Sequence, residues 1–290
     1  MTTSGSSGPP AFRAALLAAA PGLARPLPWV GHADPWAIYV SEVMLQQTSA
    51  ARVEAPWRTF LDRVSTPTQC ADARLAEVLV VWGALGYPRR ARNLHRAATV
   101  MRDEHEGRVP RDPAQLRALP GVGPYTAAAV ASFAFGAPVA VLDTNVGRVL
   151  SRALSNAPLA TRDARELAAT ILAVPSAPFN QAMIDLGAQF CRARPRCEEC
   201  PVSATCRWHS DGGADPAPHS AAVSRPQATY AGSERQLRGR VMAELRVGRR
   251  ATHALRARLG DEARFDAVVD SLVADGLVER TRATLALARR

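Results

Sequence analysis

Three sets of side chains in this 290-residue sequence have types and spacings that could do chemistry. In DPWAIYVSEVMLQQT, Glu42 stands four residues after Ile38 and three before Leu45, so on a helix it shares a face with two aliphatic side chains. A carboxyl held against apolar surface is pushed towards its protonated form, which suits a proton donor near neutrality. The bland alternative is a solvated surface acid. In VAVLDTNVGRVL an extended apolar segment ends at Asp143 and a helix begins. As an N-cap, Asp143 would accept backbone amide hydrogens and stay ionised, because those bonds and the helix dipole favour the anion. Taken alone it reads equally as a plain cap. The third set is CRARPRCEECPVSATC, which spaces Cys191, Cys197, Cys200 and Cys206 as C-x5-C-x2-C-x5-C. Four thiols in 16 residues point to a metal centre more than to disulfides.

The elements that must position these groups read as helices. Asp34-Pro35 and Asp112-Pro113 each place a capping carboxylate before a proline at the first helical position, and Pro124 opens a further helix. Between the last two lies Leu-Pro-Gly-Val-Gly, residues 119–123. Read with its flanks this is a helix–hairpin–helix, in which Gly121 and Gly123 bring bare backbone close to a ligand. Amides at such a turn and at the following helix start can be satisfied by a phosphate, which fixes position on DNA without reading sequence. An ordinary αα-hairpin is the alternative. Residues 1–10 form a Ser/Gly/Pro tail expected to be disordered, 11–208 a mostly helical domain, and 209–226 a linker. Residues 227–290 give three helical patterns and a terminal alternating segment, the order of a small winged-helix module.

The formal net charge is +10, and all 36 basic side chains are arginine. That excess points to a polyanionic partner such as nucleic acid; lysine replacement in a GC-rich genome would explain the missing lysine but not the net charge. No stretch reads as a membrane span, and the N-terminus lacks a basic segment before its apolar run, so a cytoplasmic protein is expected. Cys70 stands apart and reads as a small buried hydrophobe. The long outer cysteine spacings suit a [4Fe–4S] cluster better than zinc, whose sites usually use two close pairs.

LPGVGPYTA resembles the helix–hairpin–helix of the endonuclease III superfamily of base-excision DNA glycosylases. SEVMLQQT, LDTNV and NQAMIDLG, in that order, resemble segments of adenine DNA glycosylases of the MutY type. The resemblance covers roughly residues 24–208. It implies an all-α fold of two helical lobes with a cleft, an iron–sulfur loop at 191–206, and a glycosidic bond cleaved by an acid and an anion through an oxocarbenium-like sugar. Glu42 would protonate adenine N7 and later activate water, Asp143 would steady the sugar cation, and Tyr125 and Asn145 would orient the pair. The base must be flipped out of the duplex. Gln47 would wedge into the gap with Thr48 beside it, and Tyr87 would insert near the opposite base, although it reads equally as a core aromatic at a turn. Arg89, Arg90 and Arg92 would meet phosphates or form a solvated basic face, and Asp185 would line the adenine pocket.

Bifunctional superfamily members have a lysine at the position of Tyr125, and a Schiff base needs an ε-amine. This sequence has none, so a monofunctional enzyme that stops at the abasic site is expected. The sequence departs from the family in three places. Thr144 replaces a glycine, Pro88 stands where an aromatic is usual, and the first cysteine spacing is one residue short. The strand-rich module that checks for 8-oxoguanine has no counterpart in 227–290. The expected partner is duplex DNA with A opposite 8-oxoguanine or G, bound by a monomer associated with the nucleoid. Two alternatives stay open: a thymine or uracil mismatch glycosylase of the same fold, and a non-catalytic iron–sulfur DNA-binding protein.

Overall fold

The two Asp-Pro pairs start helices in the computed structural model, which describes residues 8–223, 229–260 and 262–289. Asp34 accepts a hydrogen bond from the Trp36 amide at 2.9 Å and Asp112 one from Ala114 at 2.8 Å. In chain order the first helices are α1 Pro9–Leu23, α2 Pro35–Leu45, α3 Ala50–Arg63, α4 Pro67–Asp72 and α5 Leu75–Trp82. Then follow α6 Arg89–Glu104, α7 Pro113–Ala118, α8 Pro124–Phe135, α9 Thr144–Val149, α10 Thr161–Ile171 and α11 Ser176–Gln189. The last are α12 Arg207–Asp211, α13 Glu234–Val247, α14 Thr252–Leu259 and α15 Glu262–Ala274. Three short strands, β1 Arg250–Ala251, β2 Val278–Arg280 and β3 Thr284–Leu287, complete the described elements. Among the described residues no helix is long and apolar enough to cross a membrane. The tail expected to be disordered falls mostly on 1–7, outside the described residues, whereas Pro9 and Pro10 already belong to α1.

The chain divides into two compact units, Met1–Gly31 with Pro124–Pro226, and His32–Gly123 with Gln227–Arg290. The first unit is built on Phe12, Leu16, Leu150, Ile171, Phe179, Met183 and Leu186, all essentially without solvent contact. Its helix α9 runs on into a π-helical turn, Leu150–Ser155. Residues 209–223, expected as a linker, are packed against this unit. Ser220 is buried, its hydroxyl accepts from the Leu159 amide at 3.1 Å, and the Ala221 amide donates to the Leu159 carbonyl at 2.9 Å.

The second unit packs α2 to α7 around tryptophans whose indole N–H groups find carbonyls, as buried donors must. Trp36 donates to Val64 at 3.1 Å, Trp57 to Ala37 at 2.8 Å and Trp82 to Gly86 at 3.0 Å. The C-terminal residues of this unit form the expected winged-helix order, α13, β1, α14, α15, β2, β3, with the antiparallel sheet in order β1-β3-β2. Leu285 and Leu287 of β3 face inwards with Val278 of β2, over Phe265, Val268 and Leu272 of α15.

Candidate active site

Helix α2 is buried on all sides from Trp36 to Met44, because its sequence is apolar at almost every position rather than on one stripe. Glu42 lies inside that run at 4% exposure, with Ile38 buried a turn before it and Leu45 half-buried a turn after. The helix stops at Gln46, and Gln47 takes a left-handed backbone, φ 55°, that turns its exposed side chain out of the helical path. Gln46 donates from its side-chain amide to the Gly121 carbonyl at 3.4 Å, which ties this turn to the glycine hairpin.

Arg90 explains how these turns are held. It is buried, and its guanidinium donates to the carbonyls of Val43 at 3.1 Å, Met44 at 2.6 Å and Gln46 at 2.5 Å, then to the Thr48 hydroxyl at 3.0 Å and the Gly86 carbonyl at 3.2 Å. A cation at the last carbonyls of a helix satisfies groups that have no partner within it. Burial pushes the Arg90 pKa down to about 10. Its cation also lies 5.1 Å from the Tyr87 ring centre and 5.3 Å from that of Trp82. Arg90 is therefore an internal brace, not the phosphate contact or solvated charge expected of it, because it is buried and both terminal nitrogens of its guanidinium donate within the protein. Arg89 is exposed and paired with Asp275 at 3.4 Å, and Arg92 donates to the Asp275 carbonyl. Tyr87 is half-buried at φ 49°.

In the hairpin, Gly121 has φ 79°, and a Cβ there would sit 2.7 Å from Asn93 side-chain atoms. Glycine is demanded twice at that position, by conformation and by space. Gly123 faces open space. The division between units falls directly after it, and Tyr125, half-buried, lies in the first turn of α8.

In the first unit Asp143 caps α9 as expected, one oxygen accepting from the Val146 amide at 2.7 Å and the other from the Asn145 side chain at 2.6 Å. Asn145 accepts in turn from Arg148 at 2.6 Å, and Arg148 donates to the carbonyls of Cys191 at 2.6 Å and Gly187 at 3.0 Å. Gly187 lets α11 lie flush on this turn, since a Cβ would meet Asn145 at 2.6 Å. Burial pushes the Asp143 carboxyl above the ordinary carboxylate range, while the Val146 amide, Asn145 and Arg148 pull it back. The direction is opposite to that expected from capping alone, because the cost of burying the charge outweighs what its donors return. The segment before it is fixed by Asn180, buried, which accepts from the Val141 amide at 3.1 Å and donates to Val139 at 2.8 Å and Ser132 at 2.9 Å. Asp185 is buried and held by Arg25 at 2.5 Å and Gln181 at 3.0 Å.

Cys191, Cys197, Cys200 and Cys206 line one cavity, with Val149, Leu186, Phe190, Val202 and Trp208 as its apolar wall. Among the described residues no three His, Cys, Asp or Glu side chains converge closely enough for a single metal ion. Arg152, 1% exposed, closes the back of this loop. It forms a two-point pair with Asp215 at 2.8 and 2.6 Å, donates to the Arg192 carbonyl at 2.6 Å and approaches Cys191 Sγ at 3.4 Å. Arg148 and Arg152 were not singled out from the sequence. Their one legible signal is the spacing from Asn145, three and seven residues on along a helix face.

A family profile described as HhH-GPD superfamily base excision DNA repair protein matches residues 40–173. The chain is 47% identical over 268 residues to the adenine DNA glycosylase of Mycolicibacterium smegmatis, covering 89% of each chain. Among solved structures, it is similar to a thermostable thymine-DNA glycosylase with a TM-score of 0.64 and 29% identity, over 70% of this chain and 97% of the other. It is also similar to endonuclease III in a trapped covalent intermediate with DNA, at a TM-score of 0.60 and 27% identity, over 73% and 99%.

Proposed function

The chain belongs to the adenine DNA glycosylases, the base-excision repair enzymes that act as DNA N-glycosylases, and on that premise we propose that it removes adenine opposite 8-oxoguanine or guanine and leaves the abasic site uncut. Glu42 gives its proton to N7 of the flipped adenine. The C1′–N9 bond breaks with its electron pair leaving on the base, and the sugar becomes an oxocarbenium ion. The Asp143 anion stabilises that cation, with Asn145 holding the carboxylate and Tyr125 bordering it. Glu42, now ionised, takes a proton from water as its oxygen bonds to C1′, and the acid is regenerated. Gln47 and Thr48 fill the space left by the base, Tyr87 meets the opposite base, and Gly121 and Gly123 present amides to a phosphate. The observation that carries the reading is the setting of the two carboxylates: Glu42 sits within a wholly buried apolar helix, and Asp143 is held by three donor groups.

The cavity bordered by Cys191, Cys197, Cys200 and Cys206 fits a [4Fe–4S] cluster in its all-sulfur donor set and apolar wall. A bound cluster would supply no step of the hydrolysis. It would brace a loop rich in arginine, and Arg152 supports that loop from behind through Asp215.

A panel of duplexes with A opposite 8-oxoguanine, A opposite G, T opposite G and U opposite G tests the substrate. Release of adenine from the first two, with strand breaks appearing only after alkali, is expected. Activity confined to T or U would move the protein to the branch of its thymine-specific structural neighbour, and prompt scission would defeat the monofunctional assignment. The purified protein should be brown and carry four irons per chain.

A further inference from the structure

The winged-helix residues have no place in the chemistry above, yet they are fastened to the turn that carries Tyr87. Helix α13 packs on Gly83–Leu85 and α5, and the Arg289 carbonyl accepts from the Leu75 amide at 3.3 Å at the start of α5. At the other side of the turn, Asp275 takes Arg238 from its own module at 2.6 Å and Arg89 at 3.4 Å, while its carbonyl takes Arg92. Gly276 is needed for that approach, because it has φ 62° and a Cβ would sit 2.9 Å from the Arg92 guanidinium. Between these anchors Arg235, in the first turn of α13, donates to the Tyr87 hydroxyl at 3.4 Å. The ring is supported from beneath by Arg90. Tyr87 is thus held at its left-handed backbone, its ring face and its hydroxyl, and the last of these comes from the C-terminal module.

The module does not present itself as a groove reader. In helix–turn–helix relatives a recognition helix enters the major groove. Here α15 occupies that place in the order, and its outer face carries Asp266 and Asp270, both exposed and paired with Arg256 and Arg280. Carboxylates on that face would be repelled by phosphate. Arg256 and Arg280 are engaged by those carboxylates, and Arg238 donates to the Ser271 hydroxyl of the same helix.

We propose that the C-terminal winged-helix module positions Tyr87 through Arg235, with Asp275 fixing the module to the start of α6, so that the tyrosine is set for the base opposite the adenine. This rests on the reading above that Tyr87 meets that base. Arg235 is a positioning residue, and its effect should exist only while Tyr87 has its hydroxyl.

The test is the affinity of the full chain for a duplex carrying a non-cleavable 2′-fluoro-adenosine opposite 8-oxoguanine, across a salt series. Arg235→Ala should weaken binding roughly fivefold in the native background, the loss of one charge-assisted hydrogen bond. In a Tyr87→Phe background it should add almost nothing, and the salt dependence should not change. Equal losses in both backgrounds with a shallower salt dependence would make Arg235 a phosphate contact and overturn the proposal. No loss in either background would overturn it as well. If Tyr87→Ala binds like the native protein, the underlying reading of Tyr87 fails instead. Melting curves identify any variant that is merely misfolded, and Arg235→Lys should recover part of the affinity where the positioning role is correct.

Discussion

The surroundings of Glu42 and Asp143 are built by opposite means. Glu42 is surrounded by a helix that is apolar all the way round, and the polar groups near its end, the carbonyls of Val43, Met44 and Gln46, are gathered by Arg90. Asp143 lies at a helix start, with the Val146 amide and Asn145 bound to its oxygens and Arg148 behind them. At Asp143 burial favours the neutral form. The Val146 amide, Asn145 and Arg148 oppose that bias. The two carboxyls thus differ in setting: Glu42 is buried within an apolar helix, and Asp143 is half-buried at a helix start lined by donors.

The sharpest way to break this comparison is Glu42→Gln. Single-turnover release of adenine should fall by at least about a thousandfold, the range a positioned acid supplies, with duplex affinity within a few fold of native. Unchanged turnover would remove Glu42 from the chemistry. Next in size is Arg90→Met, which leaves several buried carbonyls without a donor and should cost about 3 kcal/mol of stability in urea denaturation. A loss no larger than that of an exposed arginine would show that the carbonyls are rehydrated.

The smallest effect concerns the proton state of Asp143. Burial raises its folded pKa above the unfolded value, so this group's contribution to stability is greatest below the unfolded pKa and declines as pH rises through the folded one. Activity has the opposite sign, because the anion is lost as pH falls. The acid limb of the rate profile should lie above the ordinary carboxylate range. Asn145→Ala removes one donor, so the limb should move to higher pH and the rate at neutrality should drop roughly tenfold. A limb that does not move would mean that Asn145 does not support the anion.

The helix starts were legible because Asp-Pro states both a cap and a fixed φ within two residues, as at 34–35 and 112–113. Asp143 was legible as a cap for the same local reason. The proton bias of Asp143 was not, since it depends on how much protein covers the helix start. Arg90 was misplaced because buried and exposed arginines look alike in a sequence. Its partners in α2 are more than forty residues away and are backbone atoms, which leave no trace in side-chain chemistry. Tyr87 could be proposed as functional, but not its left-handed backbone or its contact with a module 148 residues further on.

The Arg152–Asp215 pair sets a limit on how far the protein can be shortened. The last of the four clustered cysteines is Cys206, so residue 208 would be a natural place to stop an expressed fragment. Asp215 lies beyond it, and Arg152 is 1% exposed. Cutting at 208 would strand a positive charge in the interior directly behind Cys191. The cysteine loop would then lose its internal support, and the fragment would be a poor guide to how the longer chain arranges its four cysteines.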